Sequence, residues 1–558
     1  MTFSDYSAAM HGDQLRTVPD ELRQRYVREG WWTDDTLGDL VERCVTASPS
    51  VPVHIWSDDA AWHGTYADVA DEARRLVSVL RANGIGPGSV VAFQLPNCRE
   101  AITSFFGLAL GGYVLVPIVH IYGRKEVGFI LRESGARAYL SSPSFGHVDY
   151  LEIIDAEAGD DALPDLELHL VAGPGPYAEA PGVRRLDWSA VDDATATTDG
   201  DEAAAATRPD DVSVIGYTSG TTSDPKGVVH THRTLLAELV HMDDWITADR
   251  PNLMGSPVTH ATGMLGAVLG PIKAGQAIHL IDRWDPGRVL EIMLEADVGA
   301  GTGASIFLAS LLDHPDFTEA HAARMSRIGL GGAPVPEALG ERAASHGIAI
   351  IRAYGSTEHP SVTGGIWDDA AEKRHGTDGR PLRGVEIRLV DEDGADVSPG
   401  TPGEILSRGP DLCAGYTDPA LTAATFDAEG WYRTGDMGVV DDDGFLTITD
   451  RVKDIIIRGG ENISAAEVEG IIAHVPGVAE VAVVAVPDER LGERACALVR
   501  LTPGTDPLTL DDLRGQLERA EFARQKWPEE LRLIVDFPRT ATGKIRKVDL
   551  RRQLKEPS

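Results

Sequence analysis

The segment Tyr217-Thr218-Ser219-Gly220-Thr221-Thr222-Ser223-Asp224-Pro225-Lys226-Gly227 gathers five Ser or Thr hydroxyls, two glycines and one lysine in eleven residues. Glycine lets backbone N–H groups approach a ligand, hydroxyls donate hydrogen bonds, and lysine adds a point charge, so the natural guest is a polyphosphate. Pro225 precedes the lysine where a Walker loop needs glycine, and Gly227 follows it where that loop needs Ser or Thr. A different nucleotide-binding chemistry is indicated, although the same composition also describes a surface turn. The apolar Val212, Val214 and Ile215 precede the loop and a helix-like stretch follows it, giving a strand, a loop and a helix.

Elements able to position such a loop lie on both sides of it. Val90-Val91-Ala92-Phe93 reads as a buried strand after the turn 84–88, residues 101–110 as a helix, and 114–118 and 136–140 as further strands. Leu37, Leu40, Val41 and Cys44 suit one helix near the N-terminus, beyond Trp31 and Trp32. Residues 156–211 turn to Ala, Asp, Gly, Pro and Thr and read as a solvent-facing excursion with little core. A second α/β set follows: strands at 277–281, 325–330 and 349–353, and a helix at 286–294. Two of these strands run into Gly331-Gly332-Ala333-Pro334 and Tyr354-Gly355-Ser356-Thr357-Glu358, and ligands of open α/β sheets gather at strand ends. Residues 381–450 form a small β-rich subdomain with turns at Asp393-Gly394 and Asp443-Gly444. An α+β tail follows, with Ser464 and Glu467 as a capping box for a helix through His474 and strands at 478–486 and 495–501.

The totals bound the class. A chain of 558 residues exceeds one ordinary core, and 42% hydrophobic with 25% charged residues describes a folded soluble protein of two or more domains. A formal net charge of −36 opposes nucleic-acid and anionic-membrane partners, so any phosphate site is built locally. Cys44, Cys98, Cys413 and Cys496 are scattered without zinc spacing, which suits reduced cytoplasmic thiols. The first thirty residues have no apolar core of a secretory signal, and no stretch approaches a membrane span. Only nine lysines occur, and Lys226, Lys453 and Lys544 fall within motifs.

Six stretches, in this order, resemble the adenylate-forming superfamily of acyl-CoA synthetases, aryl-CoA ligases and luciferase-like enzymes. They are the Thr218–Gly227 loop, Gly331–Pro334, Tyr354–Glu358, Trp431-Tyr432-Arg433-Thr434-Gly435-Asp436, Asp450-Arg451-Val452-Lys453-Asp454 with Ile457–Asn462, and Pro538-Arg539-Thr540-Ala541-Thr542-Gly543-Lys544. The resemblance spans about residues 35–553 and implies an α/β fold: a large N-terminal domain of two α/β subdomains plus a small β-rich subdomain, with a mobile α+β C-terminal domain. It implies an AMP-binding adenylation domain at 1–449, a hinge at 450–454 and a C-terminal domain at 455–558. The implied reaction joins a carboxylate to the α-phosphorus of ATP with loss of pyrophosphate, then passes the acyl group to CoA with loss of AMP. ATP, Mg²⁺ and CoA are the implied cofactor and co-substrates.

On this resemblance Thr218, Ser219, Gly220, Thr221, Thr222 and Lys226 hold the phosphates, Thr357 meets the α-phosphate, and Glu358 with Thr221 serves the magnesium ion. Gly331, Gly332 and Ala333 let the adenine lie against backbone, and Pro334, Tyr354, Gly355 and Ser356 are further nucleotide-binding residues. Asp436 accepts from the ribose hydroxyls, Arg451 reaches the nucleotide, and Lys544 is the cation that stabilises charge in adenylation. Lys453 is the hinge residue, and Gly459 and Gly460 border the CoA path. His260 stands between nucleotide and acyl group, with Gly301 and Gly303 in the acyl pocket, where several relatives carry bulk. Taken alone, each of these residues also has an ordinary structural role: Glu358 as a solvated carboxylate, Asp436 as a turn former, Lys544 as a surface lysine, His260 as a core histidine. His230 and His232 read as helix-capping or surface residues rather than metal ligands. Ser223 replaces the glycine of most relatives.

The local wording, His359-Pro360 and Asp282-Arg283-Trp284-Asp285-Pro286 included, is closest to ligases of cyclohexanecarboxylate-like or medium-chain acids. The leading expectation is a cytoplasmic carboxylate–CoA ligase using a small-molecule acid, with no nucleic-acid or integral-membrane partner and a homodimer as an allowed assembly. The alternatives are a standalone adenylating enzyme that loads a carrier-protein thiol or activates an acid such as nitrite for coupling, and an idle nucleotide-binding relative.

Overall fold

The computed structural model describes residues 15–160, 162–196, 207–218, 225–243, 245, 250–332, 335–451, 454–458, 461–488, 492–520, 524–539 and 544–555. They form two compact units. The first comprises Met1–His375, Pro381–Glu386 and Arg408–Tyr432, and the second Gly376–Arg380, Ile387–Ser407 and Arg433–Ser558. The expected pivot at 450–454 lies inside the second unit, which joins the β-rich stretch to the tail.

The first unit is built on an eight-stranded sheet in the order Gly415–Tyr416, Lys226–Thr231, Val212–Thr218, Val114–Pro117, Val90–Gln94, Ala138–Ser141, Leu168–Val171, Arg184–Asp187. Its central pairs are parallel. Val90–Gln94 is buried at every position, as a parallel strand covered on both faces must be. Successive side chains point to opposite faces, so Val91 and Phe93 enter one core with Phe105, Phe106 and Leu115, while Val90 and Ala92 enter another with Ile130 and Tyr139. The smaller sheet runs Gly299–Ala300, Asn252–Met254, Ile278–Ile281, Pro52–Trp56, Trp62–Thr65, with only the last pair antiparallel. Asn97 ties the two sets together: its amide donates to the Ser256 and Ile281 carbonyls, each at 3.1 Å, and its oxygen accepts from Val258 N–H at 3.0 Å. Arg327–Gly331 and Ala349–Tyr354 pair in parallel in a further sheet.

Two sequence expectations change. The hydroxyl-rich loop does not lead into a helix: Lys226–Thr231 is a strand, antiparallel to Val212–Thr218 and in register from Thr218↔Lys226 to Val214↔His230. The helix His232–Met242 begins only after Thr231 caps it, accepting from Thr234 N–H. Val228, Val229 and Thr231 are β-branched and suit the pleated ladder. The stretch 156–211 also carries more core than its composition suggests. Leu168–Val171 is wholly buried, Arg184–Asp187 pairs beside it, and Trp188 and Val191 are buried. Three apolar residues around His169 suffice for this buried strand, and the polar stretches on either side mask the signal.

In the second unit the strands Glu386–Val390, Gly403–Arg408, Tyr432–Val440 and Leu446–Arg451 form the expected β-rich layer. The tail sheet centres on Val478–Asp488 and Gly492–Leu501, flanked by Ile456–Arg458 with Glu461–Ile463 and by Glu530–Leu533. Ser464 Oγ accepts from Glu467 N–H at 3.1 Å and caps the helix Ala465–Ile472, whose Val468 and Ile472 pack on Val483 and Ala497. The class is mixed α/β with several sheets and an α+β C-terminal part.

Candidate functional site

The phosphate-loop motif links two antiparallel strands, Val212–Thr218 and Lys226–Thr231. Thr218 and Lys226 are their last ladder pair, and Ser219, Gly220, Thr221 and Thr222 lie outside the described residues. Lys226 Nζ is 6.0 Å from the ring centroid of Tyr416, which belongs to the neighbouring strand.

The strand Ala349–Tyr354 delivers the second motif to the same hairpin. A Cβ on Gly216, in the strand Val212–Thr218, would lie 3.1 Å from Thr357 Cγ2, so Thr357 packs directly over that strand. Glycine at 216 leaves the room. Gly355 has no alternative either, because a side chain there would collide with the Pro360 carbonyl. The turn closes on itself: Ser356 N–H donates to His359 O at 2.9 Å, and His359 N–H to Ser356 Oγ at 3.2 Å.

His230 is not at the surface, as expected from sequence, but buried. Its Nε2 lies 2.8 Å from Thr357 O, which can only accept, so Nε2 carries the hydrogen and Nδ1 accepts from Thr234 Oγ1 at 3.1 Å. Burial pulls the His230 pKa down to about 4, which keeps the ring neutral in that role. His232 is also buried, and its Nδ1 accepts from Leu37 N–H at 3.0 Å. Neither ring is a surface group, and His232 satisfies the first N–H of the helix Leu37–Ala47.

Glu358 is held at both ends. Its carbonyl accepts from Cys413 N–H at 2.8 Å and its Oε1 from Tyr416 OH at 2.9 Å. Burial and the nearby carboxylate push the Tyr416 phenol above its ordinary range, so it remains a donor. A half-buried carboxylate oriented through one oxygen fits a hard divalent cation such as Mg²⁺. Thr221, the other metal-side residue expected, lies outside the described residues. Tyr416 and the segment before it carry no recognisable signal in the sequence.

His260 is half-buried and its Nδ1 is 3.3 Å from Thr262 N. Thr262 marks where two motifs approach: a Cβ on Gly332 would lie 3.9 Å from Thr262 Oγ1, and one on Gly303 3.6 Å from Thr262 Cγ2. Gly303, at φ +112°, also approaches Ser256 Oγ at 3.3 Å and Phe307 Cδ2 at 3.9 Å by the same measure. Phe307 packs on Trp284 with ring centroids 4.5 Å apart. The structure therefore brings His260, Gly303 and Gly332 into one neighbourhood. Gly301 instead faces Ile328, Leu308 and Leu311 in the core. Ala333 and Pro334 lie outside the described residues.

In the second unit Asp436 is buried and opposes Arg451 in the ladder between Tyr432–Val440 and Leu446–Arg451. Thr434 Oγ1 accepts from Asp436 N–H at 3.1 Å and donates to Ile405 O at 2.7 Å. Lys453, Gly459 and Gly460 lie outside the described residues; the strands Ile456–Arg458 and Glu461–Ile463 pair antiparallel. Lys544 is exposed, beside a bridge between Arg539 and Ile545.

Comparison with known proteins gives three findings. The sequence matches the family described as AMP-binding enzyme over residues 41–417, and the AMP-binding enzyme C-terminal domain over residues 467–544. Among curated relatives, it is 32% identical over 543 residues to the medium-chain fatty-acid–CoA ligase of Escherichia coli (strain K12), covering 96% of this chain and 94% of the relative. It is 34% identical over 497 residues to an octahydro-indenyl-propanoyl:CoA ligase of Rhodococcus jostii (strain RHA1), covering 88% and 94%. Among solved structures, the anthranilate CoA ligase AuaEII in complex with anthranoyl-AMP superposes with a TM-score of 0.81 at 26% identity, covering 94% of this chain and 98% of that one.

Proposed function

The chain belongs to the AMP-binding enzyme family as an AMP-forming acid–thiol ligase, and from that premise we propose that it joins a medium-chain, alicyclic or aromatic carboxylic acid to CoA. An acyl-adenylate forms first and a CoA thioester second. The observation that carries the site assignment is Thr357 packed against Gly216, which sets the Thr357–Glu358 turn beside the phosphate hairpin within one unit.

In the first step the hairpin residues Thr218, Ser219, Gly220, Thr221, Thr222 and Lys226 bind the polyphosphate, and Thr357 orients the α-phosphate. Glu358 and Thr221 would hold Mg²⁺, which supplies charge neutralisation of the phosphate oxygens when bound. Gly331, Gly332 and Ala333 let the adenine lie against backbone, Pro334, Tyr354, Gly355 and Ser356 serve the nucleotide, and Asp436 and Arg451 take its ribose side. Lys544 stabilises the negative charge that grows as the carboxylate oxygen attacks and pyrophosphate leaves in line. In the second step the thiolate of CoA attacks the acyl carbonyl and AMP departs. Lys453, within the hinge expected at 450–454 between domains 1–449 and 455–558, lets the segment with Gly459 and Gly460 replace Lys544. His260 and Gly303 border the acyl group, whereas Gly301, expected there, packs against Ile328, Leu308 and Leu311 in the core behind it.

The four cysteines are unpaired thiols, which supports a reducing, cytoplasmic setting. No helix among the described residues is long and apolar enough to cross a membrane.

Acid-dependent exchange of labelled pyrophosphate into ATP, measured over aliphatic, alicyclic and aromatic acids, tests this reading. Exchange with at least one acid, followed by AMP release only when CoA is added, is expected. Silence with every acid overturns the proposal. Exchange without CoA-stimulated AMP release transfers the acceptor role to a carrier-protein thiol or another nucleophile.

A further inference from the structure

Beneath the Thr357–Glu358 turn lie five buried or half-buried ionisable side chains that have no part in the reaction as described: Asp411, His359, His241, Glu238 and Arg16. All belong to the first unit. Asp411 is fully buried and grips the turn on both sides of Pro360, with Oδ1 3.2 Å from His359 Nε2 and Oδ2 accepting from Ser361 N–H at 3.3 Å. Ser361 Oγ donates to Glu238 in the helix His232–Met242, and His241 Nδ1 from the same helix lies 3.5 Å from Glu238 Oε2 and 4.0 Å from Asp411 Oδ2. His241 Nε2 is 2.9 Å from the Arg383 carbonyl, an acceptor, so that nitrogen carries hydrogen.

Asp411 also opens the segment that holds Glu358. Two residues on, Cys413 N–H donates to Glu358 O at 2.8 Å, and five residues on, Tyr416 OH donates to Glu358 Oε1 at 2.9 Å. The segment is pinned from the N-terminal side by Arg16, whose Nε donates to Cys413 O at 2.6 Å, Nη2 to Leu412 O at 2.8 Å and backbone N–H to Ala414 O at 2.9 Å. The carboxylate between the two layers thus meets donors from His359 and Ser361 on the turn and faces His241 on the helix.

We propose that Asp411 is a positioning residue for adenylation: by fastening the 411–416 segment to the His359–Ser361 limb of the turn, it sets the direction in which Glu358 presents its carboxylate, and Arg16 anchors the arrangement. This deepens the assignment of Glu358 to the metal and rests on it. Cys413 and Tyr416 can orient Glu358 only while their segment keeps its place, and Asp411 ties this segment to the turn from both sides of Pro360.

Glu238, His241 and Asp411 could also be read as three metal ligands, since their ligand atoms lie within 4.8 Å of one another. Both oxygens of Asp411 already accept from the turn, which favours an internal hydrogen-bonded network.

The test compares Asp411→Asn, Tyr416→Phe and Glu358→Gln in the full chain. Mn²⁺ binding in the presence of a non-hydrolysable ATP analogue is read by EPR, beside the Mg²⁺ dependence of pyrophosphate exchange and the unfolding midpoint. Loss of a supporting partner of a metal ligand typically weakens metal affinity about 10- to 100-fold. Asp411→Asn and Tyr416→Phe should each shift Mn²⁺ binding in that range while KM for the acid stays put. A folded Asp411→Asn chain with wild-type Mn²⁺ affinity overturns the proposal. Should Asp411→Asn fail to fold, wild-type affinity in Tyr416→Phe, which removes one hydroxyl, overturns it instead. If Glu358→Gln itself leaves the metal dependence unchanged, the metal assignment falls first and the proposal with it. Stoichiometric transition metal that survives EDTA dialysis of the wild-type protein also overturns it, in favour of a metal centre.

Discussion

The turn Tyr354–Ser361 in the first unit and the bridged pair Arg539 and Ile545 beside Lys544 in the second carry groups assigned to the same chemical step, yet their described surroundings differ. The first is fastened from three elements: His230 on Thr357, Glu238 on Ser361, and the 411–416 segment on Glu358 and His359. The second is fastened at its base, by the Arg539–Ile545 bridge and by Arg546 N–H to Pro538 O at 2.8 Å, with Phe537 and Leu550 in a core beneath. Lys544 lies exposed beside that base. The difference teaches that a group which must hold a fixed direction is fastened by several packed elements, whereas the cation assigned to one step sits on an exposed surface.

The largest expected effect follows from that exposure. Lys544→Ala removes a charge-stabilising donor, and such losses cost about 10²- to 10³-fold in rate. Acid-dependent pyrophosphate exchange should fall by that factor, while the unfolding free energy changes by less than about 0.5 kcal/mol, as for a surface substitution. A loss of activity accompanied by a clear drop in unfolding midpoint would erase the contrast, because Lys544 would then be part of the packing.

Gly355→Ala probes the opposite turn. Its new methyl has no space beside the Pro360 carbonyl, so the backbone must move and break the Ser356–His359 bonds. Overpacking of this kind costs about 1–3 kcal/mol, and displaced Thr357 and Glu358 lose pyrophosphate exchange in the same variant. Denaturant melts and exchange assays on one preparation check both. Wild-type behaviour in both would mean that the turn is pliable.

How much of this is legible in the sequence depends on how far apart the interacting residues lie. Val90–Phe93 is readable because a parallel strand buried on both faces shows as an unbroken apolar run. The hydroxyl-rich loop and Thr357–Glu358 are readable by residue type alone. The strand Lys226–Thr231 reads locally as the approach to a helix because its six residues satisfy either period, and only pairing with Val212–Thr218 decides between them. His230 and His232 escape local reading for a related reason: their acceptor and donor partners, Thr357 and Leu37, are remote. Arg16 and the carbonyl it holds at Cys413 are 397 residues apart, and no local pattern announces such a contact. Asp411 and Tyr416 are hidden likewise, since their partners reach them only once the turn is folded against them.

Acid should separate the two units most gently, through histidine. Sixteen of the seventeen histidines belong to the first unit, His474 alone to the second. Burial lowers the His230 pKa from 6.5 to about 4, whereas in the unfolded chain it returns to the ordinary value. Above pH 6.5 neither state binds the proton and the contribution to stability is complete. As pH falls from 6.5 towards 4 the unfolded chain takes up a proton that the folded ring refuses, so stability declines, and below 4 the loss is complete. For one ring the full change is of order 3 kcal/mol, at most about 1.4 kcal/mol per pH unit. His232, held down to about 4 by burial, adds a second slope of the same sign. His230→Gln can still donate to Thr357 O and has no proton to gain, so its stability between pH 6.5 and 4 should fall less steeply than wild type by one proton. Urea melts at half-unit pH steps measure that slope. An unchanged slope would place the His230 ring in water and remove one of the three fastenings that distinguish the first turn from the second.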